Sequence, residues 1–265
     1  MHNPIQREVS EKRTEEITLE KKDPISVLML SVDEREGDKG RSDTIIVLTV
    51  NPNQESIKML SVPRDTRTEI VGRDEEDKIN HAYAFGGVEM SMNTVENFLD
   101  IPIDYYINVN MEGFKDTVDS VGGITVQNPF AFAESGYEFK EGEISLNGNE
   151  ALAFVRMRKQ DLSGDYGRQQ RQREVIQGVI DKGASFSSIT RFKNIFKVLG
   201  ENVKTNLSFN EMVDIQKNYK DTGKSIESIQ LEGEGQYIND ISYQIVSEEE
   251  RMRVQKELKE HLEIQ

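Results

Sequence analysis

Residues 25–62 read ISVLMLSV, DEREGDKGRSD, TIIVLTV, NPNQE and SIKMLSV, three apolar runs parted by two polar connections. The first two runs, 25–32 and 44–50, are almost continuously apolar and rich in β-branched residues, the pattern of strands covered on both faces. NPNQE has hairpin-loop length and turn composition, so the third run, 56–62, returns alongside the second. If 25–32 and 44–50 are also antiparallel neighbours, loop 33–43 joins them at one end of the sheet. The third run then comes back to that same end. Three polar clusters are therefore expected to meet at one edge: Asp33 with Glu34, Arg41-Ser42-Asp43, and Arg64-Asp65.

Outward from this core, residues 1–23 are charged and poor in large apolar groups, which predicts a mobile or loosely helical polar arm, with order beginning at Pro24. From 24 to 265 strand and helix patterns interleave. Helices are expected at 89–100, 111–123, 168–183, 187–200, 208–219 and 247–262, and strands at 103–110, near 123–127 and at 151–158. The Gly-rich aromatic stretch 130–148 reads as a lid-like loop. This predicts one α/β domain over 24–265, with a mixed central sheet and helices on both faces.

Composition narrows the chemistry. The 265 residues carry 48 acidic and 33 basic side chains, a formal net charge of −15. That excess repels phosphate over most of the surface and argues against a nucleic-acid binder. With no cysteine and three histidines, thiolate sites, Cys nucleophiles and multi-histidine zinc sites are excluded or disfavoured. No apolar run is long enough to span a membrane. P-loop, dinucleotide and serine-elbow motifs are missing.

The remaining chemistry lies in local cations and carboxylates. Asp33 and Asp43 flank one loop and can face each other as oxygen ligands for a hard cation, or simply be loop residues. Arg156 and Arg158, two apart in an apolar run, share one face of the expected strand. Side by side they suit a diphosphate clamp or an exposed charged face. Ahead of the 168–183 helix stand Asp165 and Gly167, and Arg168 and Gln172 continue its apolar stripe, beside free N–H groups at the helix start. The alternative is a basic first turn satisfied by Asp161, Asp165 and Glu174, to which Arg171 and Arg173 are assigned. Lys78 is a further phosphate donor, and His81 reads as structural.

GRSDTIIVLTVNP, SVPRDTRTEI, DKINHAYAFGG, TVENFLDIPIDYY, VNMEGF, VDSVGGITV, LNGNEALAFVRMR and GDYGRQQRQREVI, in this order, resemble the LytR-CpsA-Psr family. The likeness is nearest to its wall teichoic acid ligases of Gram-positive bacteria. LSVD precedes the first loop, where the family pattern has Gly two places before the Asp. The resemblance implies a phosphotransferase moving an anionic glycopolymer from an undecaprenyl-pyrophosphate carrier to peptidoglycan. The product is a phosphodiester at a muramic acid C6 hydroxyl, and the reaction is assisted by Mg²⁺, with Mn²⁺ as a substitute. It puts Asp33 and Asp43 at the metal. Arg41, Arg64, Arg156, Arg158 and Gln172 fall at pyrophosphate-contacting positions, with Lys78, Asp165 and Arg168 in adjacent motifs. Arg64, Arg156, Arg158 and Asp165 are the catalytic candidates, and Asp65 or Asp165 the candidate bases. It also implies a lipid tunnel, one N-terminal membrane anchor preceding the polar arm and an extracytoplasmic catalytic domain. A pyrophosphatase on the same site and a lipid-pyrophosphate-binding regulator without turnover are the alternatives.

Overall fold

In the computed structural model, which describes residues 1–5, 10–13, 15–32, 40–184, 195, 198–200 and 202–265, the three apolar runs form adjacent strands. These are β1 (Ile25–Val32), β2 (Ser42–Asn51) and β3 (Ser56–Ser61). β1 and β2 are antiparallel, from Ile25 opposite Val50 to Ser31 opposite Thr44, and β2 and β3 are antiparallel from Asn51 opposite Ser56. The Asn51 side chain accepts from the N–H groups of Asn53 and Gln54, which closes the NPNQE turn.

The hairpin β4 (Arg67–Ile70) and β5 (Glu75–Lys78) follows, then α1 (His81–Leu99) and β6 (Tyr105–Val109). Next come α2 (Met111–Ser120), β7 (Ile124–Asn128), β8 (Phe132–Glu134), β9 (Tyr137–Phe139), β10 (Gly142–Leu146), α3 (Gly148–Arg156) and α4 (Asp165–Ala184). The described chain ends with β11 (Val203–Thr205), α5 (Phe209–Asn218), β12 (Ile226–Gln230), β13 (Glu234–Ile238), β14 (Ile241–Ile245) and α6 (Glu248–Leu262). The main sheet has the order β11-β6-β1-β2-β3-β12. β6 joins β1 in parallel and β12 joins β3 in parallel, so the sheet is mixed, in the α/β class expected. The chain separates into two compact units, Met111–Val203 with Met1, and His2–Asn110 with Lys204–Gln265.

In the sheet unit, Leu28, Leu30, Val47 and Leu60 pack with Val95, Phe98 and Leu99 of α1 and Val254, Leu258 and Leu262 of α6. Ile46, Leu48 and Met59, on the opposite sheet face, are also buried. Each such side chain contributes about 1.5–3 kcal/mol of burial. In the other unit Phe132, Phe139 and Phe154 form an aromatic cluster with centroids 4.8–5.6 Å apart.

Four expectations need correction. Residues 151–158 are not a strand: Asn147 and Glu150 form a capping box that starts α3, and Ala151, Phe154 and Val155 are buried at helical spacing. A short apolar run carries no period that separates the two forms. The 130–148 stretch is not a loop but holds β8, β9 and β10, with β10 antiparallel to β7. The helix expected from 89 begins at His81 and passes a kink at Gly86 and Gly87, the latter at φ 66°. Nor does order begin at Pro24. Arg13 is buried against Asp104 at 2.6 Å, and Ser10 donates to Glu96 at 2.8 Å. The 187–200 helix falls largely outside the described residues.

His261 on α6 is buried, with Nδ1 2.7 Å from the Thr49 hydroxyl and Nε2 2.9 Å from that of Ser56. Burial, and then the Lys58 charge, pushes its pKa down to about 4. The folded state thus resists a proton that the unfolded chain accepts near pH 6.5. Stability present above that pH is lost as pH falls toward 4, on the order of 3 kcal/mol. Urea unfolding between pH 7 and 4 is expected to show this slope in the native chain and a flatter one in His261→Gln.

Candidate functional site

The first cluster forms because β2 begins where β3 ends. Val62, just beyond β3, donates to the Ile45 carbonyl at 2.9 Å, and the chain then turns through Pro63–Thr66. This sets the Arg64 guanidinium against the Asp43 carboxylate, which accepts its hydrogen bond. Arg64 Nε lies 3.8 Å from Asp65 Oδ2, and Lys78 Nζ donates to Asp65 Oδ1 at 2.9 Å. Lys78 reaches this point because it pairs with Arg67 across the β4–β5 hairpin. These side chains are 19–43% exposed, open to a solvent-borne anion yet already ordered. Arg41 is exposed immediately before β2.

The β13–β14 hairpin completes the surroundings. Gln244 donates its backbone N–H to the Asp65 carbonyl at 2.8 Å. The Tyr243 ring lies 5.8 Å from Lys78 Nζ and 5.9 Å from the Arg67 guanidinium. Sequence reasoning passed over this hairpin, although Asn239 and Asp240, both at positive φ, are the turn residues that could have revealed it.

The second cluster is in the other unit, at the start of α4. Asp165 Oδ1 accepts from Arg158 at 2.9 Å and pairs with Arg168 at 2.8 Å, while Gln169 donates to Oδ2 at 3.1 Å. Burial alone would raise the Asp165 carboxyl, but the Arg168 charge and the hydrogen bonds from Gln169 and Arg158 outweigh it and hold the group below the usual carboxylate range. Arg156 closes α3 and is exposed, and Arg158 follows it beyond the buried Met157. The two arginines therefore do not form a pair on one strand face, because the segment is helical. Gln172 lies half-buried one turn beyond Arg168.

Beneath this cluster Arg171, assigned from sequence to structural pairing, is buried against Asp161 at 2.6 Å and donates to the Met157 carbonyl at 2.6 Å. A Cβ at Gly167 would stand 1.8 Å from Asp161 Oδ2, so only glycine leaves room for this carboxylate.

Asp33 lies outside the described residues. Among those described, no group of three or more His, Cys, Asp or Glu side chains gathers as a metal site. Asp43 nonetheless offers a half-exposed carboxylate beside cations, a donor set that suits a hard ion whose shell is completed by water and phosphate oxygens.

The fold is mixed α/β, with cations and carboxylates interleaved where β2 begins and β3 ends and, in the other unit, at the start of α4. The LytR_cpsA_psr family model matches residues 1–260, and the chain belongs to that family. It is 56% identical over 263 residues to the polyisoprenyl-teichoic acid–peptidoglycan teichoic acid transferase TagU of Bacillus subtilis, covering 99% of this chain and 85% of the relative. The crystal structure of B. subtilis TagU is 52% identical, with a TM-score of 0.75 over 92% of this chain and 99% of that one. A structure of TagT bound to LIIa-WTA is 35% identical, with a TM-score of 0.85 over 99% of this chain and 100% of that one.

The two kinds of ion pair respond differently to truncation. Asp161→Ala strands a buried guanidinium and is expected to cost about 3–5 kcal/mol of unfolding free energy. Arg158→Ala, at an exposed pair, is expected to cost under about 1 kcal/mol. Denaturant unfolding of both variants checks the ranking.

Proposed function

We propose that the protein is a lipid-linked glycopolymer phosphotransferase, moving a teichoic acid from an undecaprenyl-pyrophosphate carrier to a muramic acid C6 hydroxyl of peptidoglycan. The observation that carries this reading is the Asp43–Arg64–Asp65–Lys78 cluster, in a chain more than half identical to a named teichoic acid transferase. A diphosphate diester carries two negative charges, and its cleavage builds more on the bridging oxygen. Guanidinium and ammonium groups held in place before the reaction stabilise that charge without reorganising. In this reading Arg41, Arg64 and Lys78 exchange solvent and carboxylate partners for phosphate oxygens. Arg156, Arg158, Arg168 and Gln172 are assigned to phosphoryl oxygens as well. Asp165 keeps Arg158 and Arg168 in register; its lowered pKa and its two arginines make it an orienting group and a poor proton acceptor.

A divalent cation such as Mg²⁺, held by Asp43 together with Asp33, would supply further charge neutralisation on the diphosphate. A lipid-carried substrate puts the reaction at a membrane surface, and in this reading the catalytic domain faces outward from the cytoplasmic membrane. Among the described residues no helix is long and apolar enough to cross a membrane.

Transfer is expected to fall at least about 100-fold in Arg64→Ala and in Asp43→Ala, with the thermal unfolding midpoint little changed. The assay follows lipid-linked polymer with and without peptidoglycan. Polymer joined to the glycan supports the transferase. Polymer phosphate released to water at the same rate in both arms identifies a hydrolase, and binding without cleavage identifies a regulator.

A further inference from the structure

His81, which reads as structural in the sequence, opens α1 with its Nδ1 2.6 Å from Asp77 Oδ2. Asp77 is itself fixed: its Oδ1 accepts from the Lys78 N–H at 2.8 Å and lies 3.3 Å from the Tyr243 hydroxyl. Burial alone would raise the Asp77 carboxyl, yet the hydrogen bonds from His81, the Lys78 amide and Tyr243 hold it below the usual range, so it is ionised and acts as an acceptor. A carboxylate on Nδ1 selects the tautomer that carries its proton there, which leaves the basic lone pair on Nε2. Among the described residues, the hydrogen bond of this imidazole is the one to Asp77. The ring rests edge-on against Phe85, 6.0 Å between centroids, and the side chain is 19% exposed.

The pair is tied to the first cluster by backbone. Ile79 N–H donates to the Thr66 carbonyl at 2.8 Å and Asn80 N–H to the Arg64 carbonyl at 3.3 Å. The first residue of α1 therefore stands next to the segment that presents Arg64 and Asp65. Those two carboxylates considered as bases, Asp65 and Asp165, both have their oxygens turned to cations, and a proton arriving on either would break existing pairs. Among the described residues, Nε2 of His81 has no such partner.

We propose that His81 is the general base of the transfer reaction, with Asp77 as its positioning residue; the inference rests on the transferase reading above. The acceptor hydroxyl oxygen bonds to the phosphorus that bears the polymer. The bridging P–O bond breaks, and its electron pair leaves with polyprenyl monophosphate. The hydroxyl proton passes to His81 Nε2 and then to solvent, which restores the free enzyme. Among the described residues, Asp77 is the titratable group in contact with the imidazole. Lys78, Arg67 and Tyr243 stand behind it, and Arg73 with Glu75 stands beyond the Phe85 ring.

The test uses the full chain, lipid-diphosphate-linked glycopolymer and a peptidoglycan acceptor, following kcat and KM against pH. His81→Gln is expected to lower kcat by about 100-fold or more while KM for the lipid substrate stays within about threefold. It is also expected to remove the limb on which native activity falls as pH drops. Asp77→Asn is expected to lower kcat by about tenfold and to displace that limb. A kcat within about threefold of native in His81→Gln, or an unchanged acid limb, overturns the proposal. If His81→Gln does not fold, an unchanged kcat and limb in Asp77→Asn overturn it instead. Lack of transfer by the native chain removes the transferase reading itself, before any substitution enters.

Discussion

The antiparallel meander of β1, β2 and β3 is the constraint on which the sheet-edge site depends. An antiparallel pair returns the chain to the end it left, so the residues that precede β2 and those that follow β3 are neighbours by geometry. This brings Asp43 to Arg64 across 21 positions of sequence without any long-range specificity of the polar groups themselves. The energy that holds them is apolar: Leu28, Val47 and Leu60 stack across the three strands under α1 and α6.

Pairing of opposite charges explains how the cations stay aimed. Arginines crowded together repel one another, and a flexible exposed arginine loses side-chain entropy when it binds. Asp65 between Arg64 and Lys78, and Asp165 between Arg158 and Arg168, offset both costs. In the proposed reading, an arriving phosphate group would meet donors already held in place and exchange with a carboxylate for part of their hydrogen-bonding capacity. The buried Asp161–Arg171 pair has a different part, tying the loop after α3 to the first turns of α4.

Much of this architecture was legible in the residue pattern. The three strands, their order and the meeting of Asp43 with Arg64 follow from apolar runs and one turn sequence. α4, α5 and α6 were visible from periodicity. Failures came where local signals were short or ambiguous. ALAFV suits a strand as well as a helix, and the Asn147–Glu150 capping box that decides the matter lies upstream of it. The helix expected from 89 reaches back to His81, because Met90 packs against Gly86 and the chain bends there and continues. Polar strands such as β5, with the sequence EEDK, carry no hydrophobic alternation because they are held by a partner strand and not by burial.

The sequence by itself determined the fold class, the sheet-edge cluster and the residue types suited to gripping phosphate, because these depend on the hydrophobic period and on charge. Only the tertiary structure decided how individual side chains are used. Arg156 and Arg158 lie at the end of a helix and not along a strand, Arg171 is buried and committed to Asp161, and His81 is oriented by Asp77 under the Tyr243 hydroxyl. Such assignments depend on distances of a few ångströms between segments far apart in the chain, as between Asp77 and Tyr243, and local pattern carries no record of those distances.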